Sequence, residues 1–145
     1  MRRILFMVIL FAGLSMAESI GYIDTQLVVK QYNKAIAAQS DLVRKQKELQ
    51  DLVIRKQGDL ETAKASSKNE EELNRMKDEF EDELQPKREE LVGLNQKLSS
   101  DIEKDIIEAT KKIAKQLRID IVFDKQVVLV GGTDLTILVT NYLNK

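Results

Sequence analysis

Cysteine and histidine are both absent from this chain. That excludes a disulfide framework, a thiol nucleophile, imidazole acid–base chemistry and the usual zinc sites. Pro86 is the only proline and glycine occurs six times, so flexible low-complexity linkers are missing as well. Neither charge sign dominates, with 23 basic against 24 acidic residues. Domains that bind nucleic acid usually show a strong basic excess, so no nucleic-acid partner is expected. Long apolar runs are lacking too. The run Ile4–Leu14 has eleven residues, short of the ~20 that span a bilayer.

That apolar run sits in a targeting pattern. Met1-Arg2-Arg3 is a positive start, Ile4–Leu14 the apolar stretch, and Ser15-Met16-Ala17 puts small residues three before and one before a cut after Ala17. Residues 1–17 therefore read as a cleaved signal peptide for export from a bacterial cytoplasm, with an uncleaved N-terminal anchor as the alternative. Cleavage removes two arginines and no acid, leaving 21 basic and 24 acidic residues, a formal net charge of −3.

From Lys34 to Leu117 the pattern is that of one long, charged helical hairpin. Leu42, Leu49, Val53, Leu60 and Ala63 keep heptad-like spacing, with Gln46 and Lys56 at intervening seam positions. No large apolar residue falls between Thr62 and Glu72, and Ser67 with Glu70 fits a capping box. One helix is expected to end near Ala65 and a second to start near Lys68, with the tip near residues 64–70. The return arm carries Leu73, Met76, Phe80, Leu84, Leu91, Leu94, Leu98, Ile102, Ile106, Ala109, Ile113 and Leu117. Its four-residue steps at Phe80–Leu84 and Leu98–Ile102–Ile106 locally unwind a left-handed supercoil. Pro86, Gly58 and Gly93 lower helix propensity and are the hinge candidates. At 1.5 Å per residue the outgoing arm spans roughly 45 Å and the return arm roughly 70 Å, so the surplus is expected to re-enter the body as a core helix.

Residues 18–33 and 118–145 form the remaining body. Ser19–Asp24 is a short strand candidate, Asp24-Thr25 a helix cap, and Gln26–Tyr32 a short buried helix with strand as the alternative. Ile119, Ile121 and Phe123 alternate as on one face of a half-buried strand. Val127–Val130 reads as the second strand of a hairpin, Gly131-Gly132 as a break, and Asp134 as the cap of a final helix through Leu143. The expected class is α+β, with a small β body bearing a coiled-coil hairpin. Fewer than about 50 residues without disulfide or metal make a marginal core, so either the hairpin packs heavily onto the body or several chains share one core, and shared chains are the expectation.

Ile20-Gly21-Tyr22-Ile23-Asp24 resembles the first strand of the Skp/OmpH family of periplasmic chaperones. Ile121-Val122-Phe123-Asp124-Lys125, Gly131-Gly132-Thr133-Asp134-Leu135-Thr136 and Tyr142-Leu143-Asn144 resemble its C-terminal part. The resemblance covers the whole mature chain and is most specific at the C-terminus. It implies a homotrimer in which short strands make a barrel-like body and helical tentacles enclose a cavity. Unfolded outer-membrane proteins would be held there without ATP until they reach the outer-membrane assembly machinery. The best-known members are strongly basic and this mature chain is slightly acidic, which weakens any expectation of steering toward acidic clients, lipopolysaccharide or a membrane surface. The basic runs Arg44-Lys45-Gln46-Lys47 and Lys111-Lys112 are interleaved with acids, as on a solvated helix face.

The expected oligomerisation core is Ile20, Tyr22, Ile23, Ile119, Ile121, Phe123, Val128 and Val130. Apolar residues hard to place on the seam, Leu52, Ile54 and Val92, are client-binding candidates, joined by Met76 and Phe80, for both of which seam packing is the stronger reading. Many weak contacts of this kind would give avidity while leaving a client mobile. Asp24, Asp120, Asp124 and Asp134 lie near the strands, but three of the four have a cap or turn explanation, and nothing in their spacing demands an acid/base pair. They do not follow calcium-ligand spacing, and no nucleophile motif is present. No catalytic or metal residue and no cofactor is expected. A structural coiled-coil adaptor or spacer of the cell envelope is the alternative to a holdase.

Overall fold

A computed structural model describes residues 19–66 and 69–145. The expected signal peptide, and Ser67 of the expected capping box, lie outside the described residues. Three short strands, β1 (Ile20–Ile23), β2 (Ile121–Asp124) and β3 (Thr133–Asp134), form one sheet in the order β2-β1-β3. Both pairings are parallel, with Ile20 opposite Ile121 and Tyr22 opposite both Phe123 and Asp134. Among the described residues four α-helices accompany the sheet: α1 (Thr25–Gln31), α2 (Asn33–Ala65), α3 (Glu70–Leu117) and α4 (Thr136–Leu143). The whole hairpin is thus the crossover between two adjacent parallel strands.

Helix starts follow the available caps. The Asp24 side chain accepts the Leu27 N–H at 2.9 Å and opens α1. Asn69 accepts the Glu72 N–H at 2.8 Å and opens α3 at Glu70, where Glu70, Glu71 and Glu72 also suit the positive end of the helix dipole. At α4 the N-cap position falls on Leu135, one residue later than expected, and Asp134 just before it accepts the Thr136 N–H at 2.9 Å. Helix α3 ends at Arg118, which takes a left-handed φ of 57° that lets the Ile119 N–H return to the Ala114 carbonyl.

The arms α2 and α3 lie antiparallel along a narrow seam. Leu42, Ala63, Phe80 and Leu84 are buried there, with Leu49, Val53, Leu60 and Leu91 half-buried beside them. Three ion pairs bridge the arms, Lys34–Asp105 at 2.6 Å, Lys45–Glu90 at 2.5 Å and Lys56–Glu83 at 2.7 Å. In each, the partners lie nearly equal numbers of residues from the turn before Asn69, so the pairs mark one register along the arm. At 1.5 Å per residue, α2 is about 50 Å long and α3 about 72 Å. The excess of α3 returns to the body, where Ile106, Ala109 and Ile113 join Ile23, Val28, Leu135 and Val139 in the core.

Two strand expectations are corrected. Val127–Val130 is not a strand, and there is no hairpin with β2. Asp124 instead accepts the Gln126 N–H, and a 3₁₀ turn closes at Lys125–Val127. Gly131 and Gly132, at φ 85° and 89°, then carry the chain to the far edge of β1. A Cβ on Gly132 would stand 3.2 Å from the Tyr22 ring, so the crossing needs glycine for space as well as for φ. The inward face of β2 is also the other one. Val122 packs on the core while Ile121 and Phe123 point away, because three consecutive apolar residues leave the parity of the alternation undecided.

At the hinge candidates, α3 continues through Pro86 without a break, and Gly58 and Gly93 lie inside helices. A Cβ at either glycine would meet nothing within 4 Å. Gly58→Ala and Gly93→Ala are each expected to stabilise the arm by about 0.5–1 kcal/mol, read as a higher midpoint for thermal loss of helical circular dichroism.

Candidate functional site

A large concavity lies at the root of the hairpin, against the body. It is an open groove of about 1390 Å³, bounded by α1, the first turns of α2, the second half of α3 and β2. Ile23, Ile36, Leu42, Ile107, Val122 and Phe123 give it an apolar floor. Ile36 and Ile107 are half exposed, at 50% and 44%, although each comes from a well-formed helix. Their exposure follows from the geometry. Below Leu42 the arms are still bridged by Lys34–Asp105, but Ile106, Ala109 and Ile113 of α3 turn to the body core, which leaves Ile36 and Ile107 facing the groove. Lys30, Lys111, Lys115 and Arg118 stand on the rim beside Glu103, Asp120 and Asp124.

Farther out, the arm is electrically polarised. Between Asp59 and Glu83 the sequence has ten acids and four bases, whereas the facing proximal segments, Lys34–Gly58 and Leu84–Asp105, together have ten bases and eight acids. The distal half therefore repels anionic chains and surfaces at low salt, and the proximal half does not.

Carboxylates at the C-terminal ends of the strands are engaged in structure. The Leu27 N–H, with the Lys125 ammonium, holds the Asp24 carboxyl below its ordinary range. Asp124 is lowered by the Thr25 hydroxyl and then by the Gln126 N–H, and Thr25 donates to it directly. For Asp134, burial pushes the pKa upward, but the hydroxyl and N–H of Thr136 outweigh it and the net shift is down. Shifts of this kind favour the charged, hydrogen-bonded acceptor and give none of the three the raised pKa of a general acid. No cluster of potential metal ligands occurs among the described residues.

The expected site residues separate into groups. Ile23 is buried in the body and Ile119 packs on its core, while Tyr22 is half-buried. Ile20, Ile121 and Phe123 are 38–43% exposed, Val128 is half-buried, and Val130 is 92% exposed in the loop before β3. Among the client-binding candidates, Ile54 and Val92 are open, at 58% and 57% exposure. Leu52 and Met76 are half-buried. Phe80 is only 9% exposed, so of its two readings the structure fits the stronger one, a seam residue, rather than a client-binding one. The sequence reading missed the root groove. Val29, Ile36 and Ile107 were the available signal, as apolar residues beside the helical seam positions.

A family model described as outer membrane protein (OmpH-like) matches residues 19–143, from the first strand through α4. The chain belongs to the OmpH-like family. The match runs through β1, both arms and the C-terminal strand–loop–helix, so it covers the body and the hairpin together. No curated protein matches the chain. The OmpH-like family is one of periplasmic chaperones for outer-membrane proteins and not of enzymes. No helix of the described residues is long and apolar enough to cross a membrane.

Proposed function

We propose that this chain is an ATP-independent periplasmic holdase that binds unfolded outer-membrane proteins between helical arms and keeps them from aggregating. The observation that carries the reading is the open apolar groove of about 1390 Å³ at the root of a charged, solvated hairpin. An unfolded barrel strand alternates apolar and polar residues, and a groove with an apolar floor and a charged rim accommodates both. Ile54 and Val92 extend the apolar surface outward as weak secondary contacts.

Several copies would act together. Both outer edges of the sheet, β2 and β3, lack a strand partner among the described residues, and Ile20, Ile121, Phe123 and Val130 lie exposed around them. Edges and apolar side chains left open in this way support pairing with further copies of the chain; a trimer is the number implied by the Skp/OmpH resemblance. The proposed partners are unfolded barrels, copies of the chain itself and the machinery that receives the client at the outer membrane.

Light scattering of a refolding outer-membrane barrel tests this. The mature protein should delay aggregation, and the Ile36→Ser/Ile107→Ser double variant should need several-fold more protein for the same delay. Sedimentation should show both proteins in the same oligomeric state. No delay by the wild-type protein even in molar excess rejects the holdase. Capture of one fixed folded partner from envelope extracts would favour an adaptor.

A further inference from the structure

The joint between α1 and α2 is a single non-helical residue, Tyr32, at φ −79° and ψ 115°. Such a joint leaves orphan groups on both sides: carbonyls at the end of α1 and N–H groups at the start of α2. Tyr32 supplies no side-chain cap to α2. Asn144, the C-cap of α4, serves both sides instead. Its Oδ1 accepts the Asn33 N–H at 2.9 Å and its Nδ2 donates to the Gln31 carbonyl at 2.8 Å. One amide thus brackets Tyr32 from α4, more than a hundred residues away in sequence.

The other side of the joint is held by α3. The Tyr32 hydroxyl donates to Asp105 at 2.9 Å, and the Lys34 ammonium donates to the same oxygen at 2.6 Å. Tyr32 is 7% exposed, so its ring is clamped as well as its hydroxyl. Lys34 holds the Asp105 carboxyl below the ordinary range, with Tyr32 assisting and burial opposing.

We infer that Asn144 fastens the root joint of the arm, and that through it the C-terminus sets the angle of α2 and hence the width of the root groove. The groove is lined on one wall by Ile23 and Val29 and on another by Ala35, Ile36 and Leu42. These walls meet at Tyr32, so a change of angle there opens or narrows the groove. Only the use made of that width rests on the holdase reading; the joint itself does not.

The chain has no cysteine, so Gln26→Cys and Gln57→Cys introduce a unique pair for spin labels on exposed positions of α1 and α2. Mixing labelled chains with excess unlabelled mature chain leaves at most one labelled pair in each assembly. Gln57 lies about 36 Å along α2 from the joint, so a swing of about 10° moves the label by about 6 Å. In the wild-type background one narrow distance distribution is expected. Asn144→Ala should broaden or shift it by several ångströms. Asn144→Asp, which keeps an acceptor for Asn33 but loses the donor to Gln31, should fall between. If Asn144→Ala loses helical circular dichroism, the Asn144→Asp comparison decides. Distributions unchanged in both variants overturn the inference, as does equal broadening by Asn141→Ala, an exposed neighbour on α4. Aggregation assays on the same proteins separate the two readings. A shifted joint in a protein that never held a client rejects the holdase alone, and an unchanged joint in a working holdase rejects the fastener alone.

Discussion

Leu135→Ala is expected to destabilise the body by about 2–5 kcal/mol, the range for a leucine truncated in a packed core. Leu135 has no exposed surface and lies in the cluster with Val28, Val139, Ile106 and Ile113. Its backbone N–H donates to the Tyr22 carbonyl at 2.9 Å, and its Cδ1 lies 3.1 Å from where a Cβ on Gly21 would stand. It therefore joins β1, α3 and α4 at one point. Domains of this size hold only about 5–15 kcal/mol in total, and a body this small lies toward the low end. The loss should appear as a fall of 10 °C or more in the thermal midpoint, with α4 and β3 exchanging amide hydrogens first. Ile137→Ala, at 70% exposure on the same helix, should stay within about 0.5 kcal/mol of wild type. A Leu135→Ala protein as stable as the wild type would mean that contacts between copies carry the body's stability.

Much of this architecture was legible in the sequence because helical periodicity repeats over many residues. Two arms, a break before Asn69, a short first helix and a return arm running into the core all follow from spacing and caps. The family was legible at the C-terminus, where Gly131-Gly132 and Asp134 occupy positions that demand those residue types. The β segments were harder. Ile121-Val122-Phe123 is apolar at every position, so sequence alternation alone left open which face packs inward. Val127–Val130 has high strand propensity, but the 3₁₀ turn after Asp124 and the two positive-φ glycines send the chain elsewhere. Strand propensity there is satisfied only by pairing, and the other members of such a pairing are not in the same chain segment. The groove was least legible. Ile36 and Ile107 look like imperfect seam residues until it is known where α3 turns to the body core.

Leu84→Ala is expected to open the arm locally while leaving the body folded. Leu84 has no exposed surface, and among the described residues it is the one large, fully buried side chain that lies in the arm, since Val28, Leu135 and Val139 belong to the body core. Elsewhere the arm seam is mostly half-buried, so no neighbouring layer can substitute for it. Truncation should cost about 2–5 kcal/mol where it acts. Pro86, two residues on, has no N–H for the Asp82 carbonyl, so the helix is already short of one bond at this point. The flanking Lys56–Glu83 and Lys45–Glu90 pairs are substantially exposed, and exposed pairs of this kind contribute little. Opening should therefore spread along the seam in both arms toward the turn and stop where α3 enters the body core at Ile106. Hydrogen exchange measures this directly: faster exchange in both arms around Leu52 and Leu84, with protection retained at Ile106–Ile113 and in α4. If body and arm amides lose protection together, the two form one cooperative unit. If only the arm does, the hairpin is a separable, weakly zipped element. A weakly zipped arm can part its two helices around a client and close again without disturbing the body that anchors it.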